Sequence, residues 1–240
     1  MTDPQYSREK YRDQLNNKIA AYTETVSNLD FSEIDVFPSQ PLGFRMRAEF
    51  RIWHEDGKAH YAMNRPGEKR PYIITQFPIG GPLITQLMTP LLLAINSSSL
   101  LSKKLFSLEF LTTRSGEVLV TLIYHRPLDT DWEVEAKALQ EEFSIGVIGR
   151  SKKQKVVLQS DFVTETLEVD GREYSYQQVE SGFTQPNAGI NQQMLTWASQ
   201  CLQGSTGDLV ELYCGNGNFT AVLAQHFDQV LATEISKVSV

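Results

Sequence analysis

Two glycines one residue apart, Gly215 and Gly217, lie in the segment Glu211-Leu212-Tyr213-Cys214-Gly215-Asn216-Gly217-Asn218-Phe219, where an apolar run gives way to a helical pattern. Small residues at such a turn let the backbone approach a ligand, and the first N–H groups of the following helix have no partner within it. Glu234 follows about 20 residues on, at the end of the next apolar run, where a carboxylate accepts hydrogen bonds from ribose hydroxyls in doubly wound folds. This points to binding of a nucleoside cofactor. Thr220 stands where the dinucleotide fingerprint has its third glycine. A close pyrophosphate approach is therefore less favoured than a cofactor without phosphates, such as S-adenosylmethionine.

A second group of side chains could meet a nucleic acid. Arg45, Arg47 and Arg51 share one face of an alternating segment with Glu49 and Trp53. That face reads either as a solvated one partly neutralised by Glu49 or as a phosphate contact. Phe106 is either ordinary core or a platform for an unstacked base, and His125 ends an apolar run. Arg150, Lys152, Lys153 and Lys155 read as a solvated turn, with a second RNA contact left open. Cys214 sits beside a helix N-terminus, which can lower a thiol pKa. It belongs to the cofactor loop, however, where a thiolate would crowd the methyl donor, so its expected role is to shape the loop. Cys201 is expected in the core.

The elements that must position these residues fall into two sets. Residues 4–30 carry Tyr11, Leu15, Ile19, Tyr22, Val26 and Leu29 at helical spacing, which predicts an amphipathic helix packed on a sheet. Residues 44–53 alternate as a strand, and Glu55-Asp56-Gly57 turns into a second strand near 60–63. Further strands are expected at 72–77, 105–113, 118–125, 145–149 and 155–159, helices at 83–96 and 131–143, and a hairpin around Val169-Asp170-Gly171. Up to about residue 180 this is an antiparallel α+β domain. A helix at 187–202, with Ile190, Met194, Leu195, Trp197, Ala198 and Cys201 on its apolar side, then leads to a buried parallel strand at 208–213. A helix at 218–227 and a strand at 230–233 complete a βαβ opening. The expected organisation is a domain over 1–180 and the start of a class I, Rossmann-like α/β domain over 181–240. A parallel pair with one crossover helix cannot cover both its faces, so the second domain is expected to be truncated.

The 240 residues carry 22 Lys and Arg against 29 Asp and Glu, a net charge of −7. That argues against a broadly basic nucleic-acid binder without excluding one local basic face. Two cysteines and four scattered histidines exclude a disulfide framework, a four-cysteine zinc site and a cysteine-ligated iron–sulfur cluster within the chain. No metal and no membrane partner are expected. The polar N-terminus lacks the pattern of an export signal, so a cytoplasmic location is expected.

ELYCGNGNF, preceded by SGFTQPNAGIN and followed by LATEIS, resembles the cofactor region of the RNA uracil-C5 methyltransferase family. FRMRAEFRIWH, KLFSLEFLTT and LIYH narrow the resemblance to its tRNA (uracil-5-)-methyltransferase branch, the TrmA type. The resemblance runs over nearly all of the chain. It implies an N-terminal RNA-binding domain followed by a methyltransferase domain that uses S-adenosylmethionine. It assigns Gln185, Tyr213, Asn218 and Glu234 to the cofactor, and Arg51, Phe106 and His125 to the RNA. It also favours the phosphate reading of the arginine face. The implied activity is methylation of uracil C5 in the tRNA T-loop, giving 5-methyluridine, through a covalent adduct between a cysteine and C6. The family's nucleophile and general base belong to segments beyond residue 240. No catalytic residue is therefore assigned here, and this chain alone is expected to be inactive. The expected partner is tRNA, and a monomer is expected. The alternatives are a non-catalytic RNA-binding or RNA-folding module and, less favoured, a nicotinamide-dependent oxidoreductase.

Overall fold

In the computed structural model the described residues are 7–30 and 33–238. The centre of the molecule is a seven-stranded sheet. Its strands are β1 (Arg47–Glu55), β2 (Lys58–Met63), β3 (Tyr72–Ile73), β4 (Leu105–Thr112), β5 (Val118–Tyr124), β6 (Gly146–Ser151) and β7 (Gln154–Val157), in the order β3-β2-β1-β4-β5-β6-β7. Every neighbouring pair is antiparallel except β5–β6. That parallel pair is bridged by a helix, α4 (Thr130–Phe143), capped by the Asp129 side chain on Trp132 N. Asp56 and Gly57 both take positive φ, 50° and 74°, the two-residue turn that matches strand twist.

Alternation along β1 decides which face is buried. Ala48, Phe50 and Ile52 face a core built with Ile84, Met88, Leu91 and Ile95 of α2 (Pro82–Ser97) and Trp132, Ala136 and Leu139 of α4. Phe50 meets Tyr61 and Phe77 edge-on, with centroids 5.2 and 5.0 Å apart. A short α3 (Ser99–Ser102) leads into β4.

Half of the opposite face is covered by a hairpin of β8 (Phe162–Val169) and β9 (Arg172–Val179), with Val163 packed on Leu111, Leu119 and Ile148. The hairpin also shares a core with two helices from the C-terminal part of the chain. Leu167, Val169 and Tyr176 pack with Ala188 and Leu195 of α5 (Ala188–Cys201) and with Val222 and Leu223 of α6 (Thr220–Leu223). The division expected after residue 180 thus runs between elements of one apolar cluster. β10 (Asp208–Leu212) and β11 (Gln229–Thr233) form a parallel pair beside it.

Several expectations change. α1 (Arg8–Thr25) buries none of its residues and does not lie on the sheet, and positions 4–6 fall outside the described residues. Its apolar stripe instead lines a groove with Ile34, Val36, Phe37 and Trp197. β1 begins at Arg47 rather than 44, because Arg45 leaves the ladder to bridge Gly80 and Asn187. β3 stops at Ile73 as a short edge strand. The buried stripe of α5 runs Ala188, Asn191, Leu195, Ser199, which turns Cys201 out to solvent and leaves Met194 and Trp197 exposed. β10 is not buried on both faces. With β11 as its one neighbour in the sheet among the described residues, Val210 and Leu212 are 61% and 64% exposed. The helix expected over 218–227 is reduced to α6 and a 3-10 turn, Ala224–His226.

Candidate functional site

The uncovered half of the sheet gathers three side chains distant in sequence. The β4–β5 register shifts between Leu105 and Ser107, and the irregularity falls at Phe106; such bulges re-aim a side chain. His125 follows β5 and is held by its N–H to Lys104 O, 3.0 Å. Phe106 and His125 stack, with centroids 4.1 Å apart and planes 20° from parallel. The Arg51 guanidinium stands 5.1 Å from the Phe106 centroid. A groove of about 430 Å³ opens there, bounded by Trp53, His54 and Lys104. A second groove of about 740 Å³ lies across the stack, between His125, Arg126, Arg150 and Lys152. An aromatic platform ringed by cations suits a base stacked flat with its phosphate alongside.

The arginine face expected to meet phosphate divides. Arg47 is engaged inside the protein. It pairs with Glu109 and donates to the carbonyls of Gly182 and Glu180 at 2.6 and 2.7 Å. Arg45 donates to Arg47 O. Only Arg51 of the three faces the groove. Arg150 and Lys155 likewise pair with the buried Glu180 carboxylate, and Lys155 also with Asp161. This ionic knot fixes the start of segment 180–187, which carries Gln185. Pro186 O then accepts from Met46 N at 2.7 Å, tying the segment to the strand ahead of β1.

Gln185 is half-buried, just before Pro186. Among the described residues no hydrogen bond joins it to either group of candidates. The other three candidates lie at the C-terminal ends of β10 and β11. Tyr213 takes φ 60° and is 84% exposed, so its ring stands free at the loop's entrance. Gly215 and Gly217 take φ 59° and 76°. A Cβ at Gly215 would meet nothing within 4 Å, so the bend is open rather than filled by side chains. Glu234 turns into the bend. One carboxylate oxygen accepts Gly215 N at 2.9 Å, the other Ser236 N at 2.7 Å. These N–H donors hold its carboxyl below the usual range, chiefly that of Ser236 and then that of Gly215. An ionised acceptor beside an open glycine bend fits a ribose diol.

Asn218 does not cap the helix after it. Its amide pairs reciprocally with Asn191, a residue that sequence reasoning passed over. The available signal was an asparagine at helical spacing between Ala188 and Leu195. Tyr176 Oη donates to Asn218 O at 3.1 Å, and Thr220 Oγ1 donates to the Glu211 carboxylate. Cys214 is half-buried, with its N–H on Thr233 O. Among the described residues no cluster of His, Cys, Asp and Glu could hold a metal ion, and no helix is long and apolar enough to cross a membrane.

Comparisons with known proteins place the chain in a family. The profile described as tRNA (Uracil-5-)-methyltransferase matches residues 10–240. A tRNA/tmRNA (uracil-C(5))-methyltransferase of Cellvibrio japonicus is 52% identical over 235 residues, covering 98% of this chain and 64% of the relative. That of Azoarcus is 49% identical over 241 residues, covering 100% of this chain and 66% of the relative. The chain thus spans just under two-thirds of the length of these curated relatives. Its fold is similar to the solved tRNA (uracil-54, C5)-methyltransferase of Pyrococcus abyssi in complex with S-adenosyl-L-homocysteine, with a TM-score of 0.71 and 17% identity over 95% of this chain and 58% of that one. A profile match over almost the whole chain is decisive: the chain belongs to the tRNA (uracil-5-)-methyltransferase family.

Proposed function

We propose that these residues form the RNA-binding domain and the cofactor loop of an S-adenosylmethionine-dependent enzyme that methylates uracil C5 in the tRNA T-loop, yielding 5-methyluridine. The observation that carries the reading is the Glu234 carboxylate turned onto Gly215 N in an open bend, in a chain of this family. The bound cofactor supplies an activated methyl group. Tyr213, Asn218 and Glu234 hold it, with Gln185 reaching from the segment that runs between the two sites. Arg51, Phe106 and His125 take the RNA. The Phe106–His125 stack replaces the stacking a base loses on leaving the loop, and Arg51 neutralises phosphate beside it.

The cysteine nucleophile and the general base belong to further chain, and Cys214 serves the loop. Two features support this: the relatives' greater length, and the uncovered apolar face of β10–β11, where Val210, Leu212 and Leu231 stand exposed. In this reading residues 1–180 make the RNA-binding domain and 181–240 open the methyltransferase domain, and the 240 residues alone do not turn over. The protein acts as a monomer in the cytoplasm. The test is tritium release from uracil-C5-labelled tRNA by the full-length protein. Release dependent on S-adenosylmethionine is expected, and none from residues 1–240. No release from the full-length protein removes the reaction, and turnover by residues 1–240 removes the assignment of its catalytic groups.

A further inference from the structure

Asn191 occupies a position where its helix calls for an apolar side chain. It lies on the buried stripe of α5 between Ala188 and Leu195, is 5% exposed, and borders a cluster made of Leu167, Val169, Tyr176, Val222 and Leu223. Burying an amide there is unfavourable unless both its ends are matched. They are matched by one residue. Asn191 Nδ2 donates to Asn218 Oδ1 at 2.9 Å, and Asn218 Nδ2 donates to Asn191 Oδ1 at 2.8 Å. This closed pair locks the two amides to each other, so neither can turn without the other and the Asn218 amide is held in place and in plane. Each amide then has one N–H and one lone pair left, so Asn218 can present one donor and one acceptor elsewhere from a fixed position. The backbone of Asn218 is pinned separately by Tyr176 Oη. Asn216 Nδ2 donates to Gln177 O at 3.3 Å. The glycine loop therefore takes its shape from β9 and the placement of its Asn218 amide from α5.

We infer that Asn191 is a positioning residue for the cofactor: it holds the Asn218 amide at the place and in the plane from which it hydrogen-bonds the ligand. The inference rests on the cofactor reading of the loop above. It assigns a role to a residue that does not itself touch ligand, and it makes the first turns of α5 part of the cofactor site.

The test is calorimetric titration of S-adenosylhomocysteine into the full-length wild type, Asn191→Asp and Asn191→Ala, with T-loop RNA binding measured on the same preparations. In Asn191→Asp the ionised side chain only accepts, so it keeps one bond and sets a carboxylate against Asn218 Oδ1. The protonated acid both donates and accepts, as the amide does. Relative to wild type, Asn191→Asp is expected to bind about tenfold more weakly near pH 8. It recovers towards wild type as pH falls to about 5.5, since burial favours the neutral acid. Glu211, Glu234 and His226 on neighbouring elements are the same in wild type and variant, so the ratio to wild type at each pH isolates position 191. Asn191→Ala is weakened at every pH, and RNA binding by both variants is unchanged. Equal loss by Asn191→Asp and Asn191→Ala at all pH overturns the inference in favour of plain packing. So does wild-type affinity in Asn191→Ala, or parallel loss of RNA binding in both. A wild type that fails to bind S-adenosylhomocysteine overturns the cofactor reading itself, and this inference with it.

Discussion

The central sheet and the β10–β11 pair both carry apolar strand residues and bury them to opposite degrees. Phe50, in β1, is fully buried among aromatic and aliphatic neighbours. Leu212, an equally apolar strand residue in β10, is 64% exposed. The sheet closes its core with α2 and α4 from its own chain segment. The parallel pair has α6 on one face and no cover on the other among the described residues. The groove beside the Phe106–His125 stack therefore stands on the closed sheet, whereas the glycine loop takes its order from β9, α5 and Glu234. One candidate site is preformed on the sheet, and the other is assembled from its neighbours.

The sharpest way to break this contrast is to substitute one apolar residue of each region. Phe50→Ala is expected to destabilise the chain by about 3–5 kcal/mol in denaturant unfolding, the usual cost of emptying a large core site. Leu212→Asn in the 240-residue chain is expected to change stability by less than about 0.5 kcal/mol, as at an ordinary surface position. In the full-length protein the same Leu212→Asn change is expected to cost about 2 kcal/mol, the buried strand residue having become a polar one without partners. Equal costs for the two sites in the 240-residue chain would erase the distinction.

A smaller effect separates the arginines on the face of β1. Arg47→Met breaks the pair with Glu109 and strands the carbonyls of Glu180 and Gly182, at a cost of about 2 kcal/mol. Its affinity for T-loop RNA measured by filter binding is expected to stay near wild type. Arg51→Gln is expected to leave stability alone and lower the salt dependence of RNA binding by about one phosphate's worth. The reverse pattern would return Arg47 to the RNA.

The least effect is a pH dependence. Glu165, 1% exposed, accepts Arg114 N at 3.0 Å with one oxygen and at 3.2 Å with the other, and burial pushes its carboxyl above the usual range. The folded state therefore holds this proton more tightly than the unfolded state. Its contribution is present at low pH and declines as pH rises from about 4.3, the unfolded carboxyl's value. Glu165→Gln removes that decline. Thermal unfolding from acid to neutral pH should show wild type losing ground to the variant, and parallel curves would contradict this.

Much of the fold was legible because its signals were local. Asp56-Gly57 and Asp170-Gly171 announce their hairpins, and the alternation through Ala48, Phe50 and Ile52 announces the core face of β1. Contacts set by tertiary structure were not legible. The stripe of α1 shows periodicity but not what it lies against. Cys201 and Asn191 exchange the positions that hydrophobicity predicts, because the helix packs through the stripe Ala188, Asn191, Leu195 and Ser199. Arg47 reads like Arg51 until the Glu180 carbonyl comes within reach. The glycine loop and Glu234 were readable as a cofactor pattern, but their dependence on α5 was not.

The carboxylate at the open bend carries the functional reading. Calorimetry of the full-length protein with S-adenosylhomocysteine and, separately, NAD tests it most directly, with Glu234→Gln as the paired variant. We expect clear preference for S-adenosylhomocysteine and an affinity loss of about tenfold or more in Glu234→Gln, since a charged acceptor is exchanged for a neutral one. Preference for NAD, or a variant that binds S-adenosylhomocysteine as tightly as wild type, would contradict it.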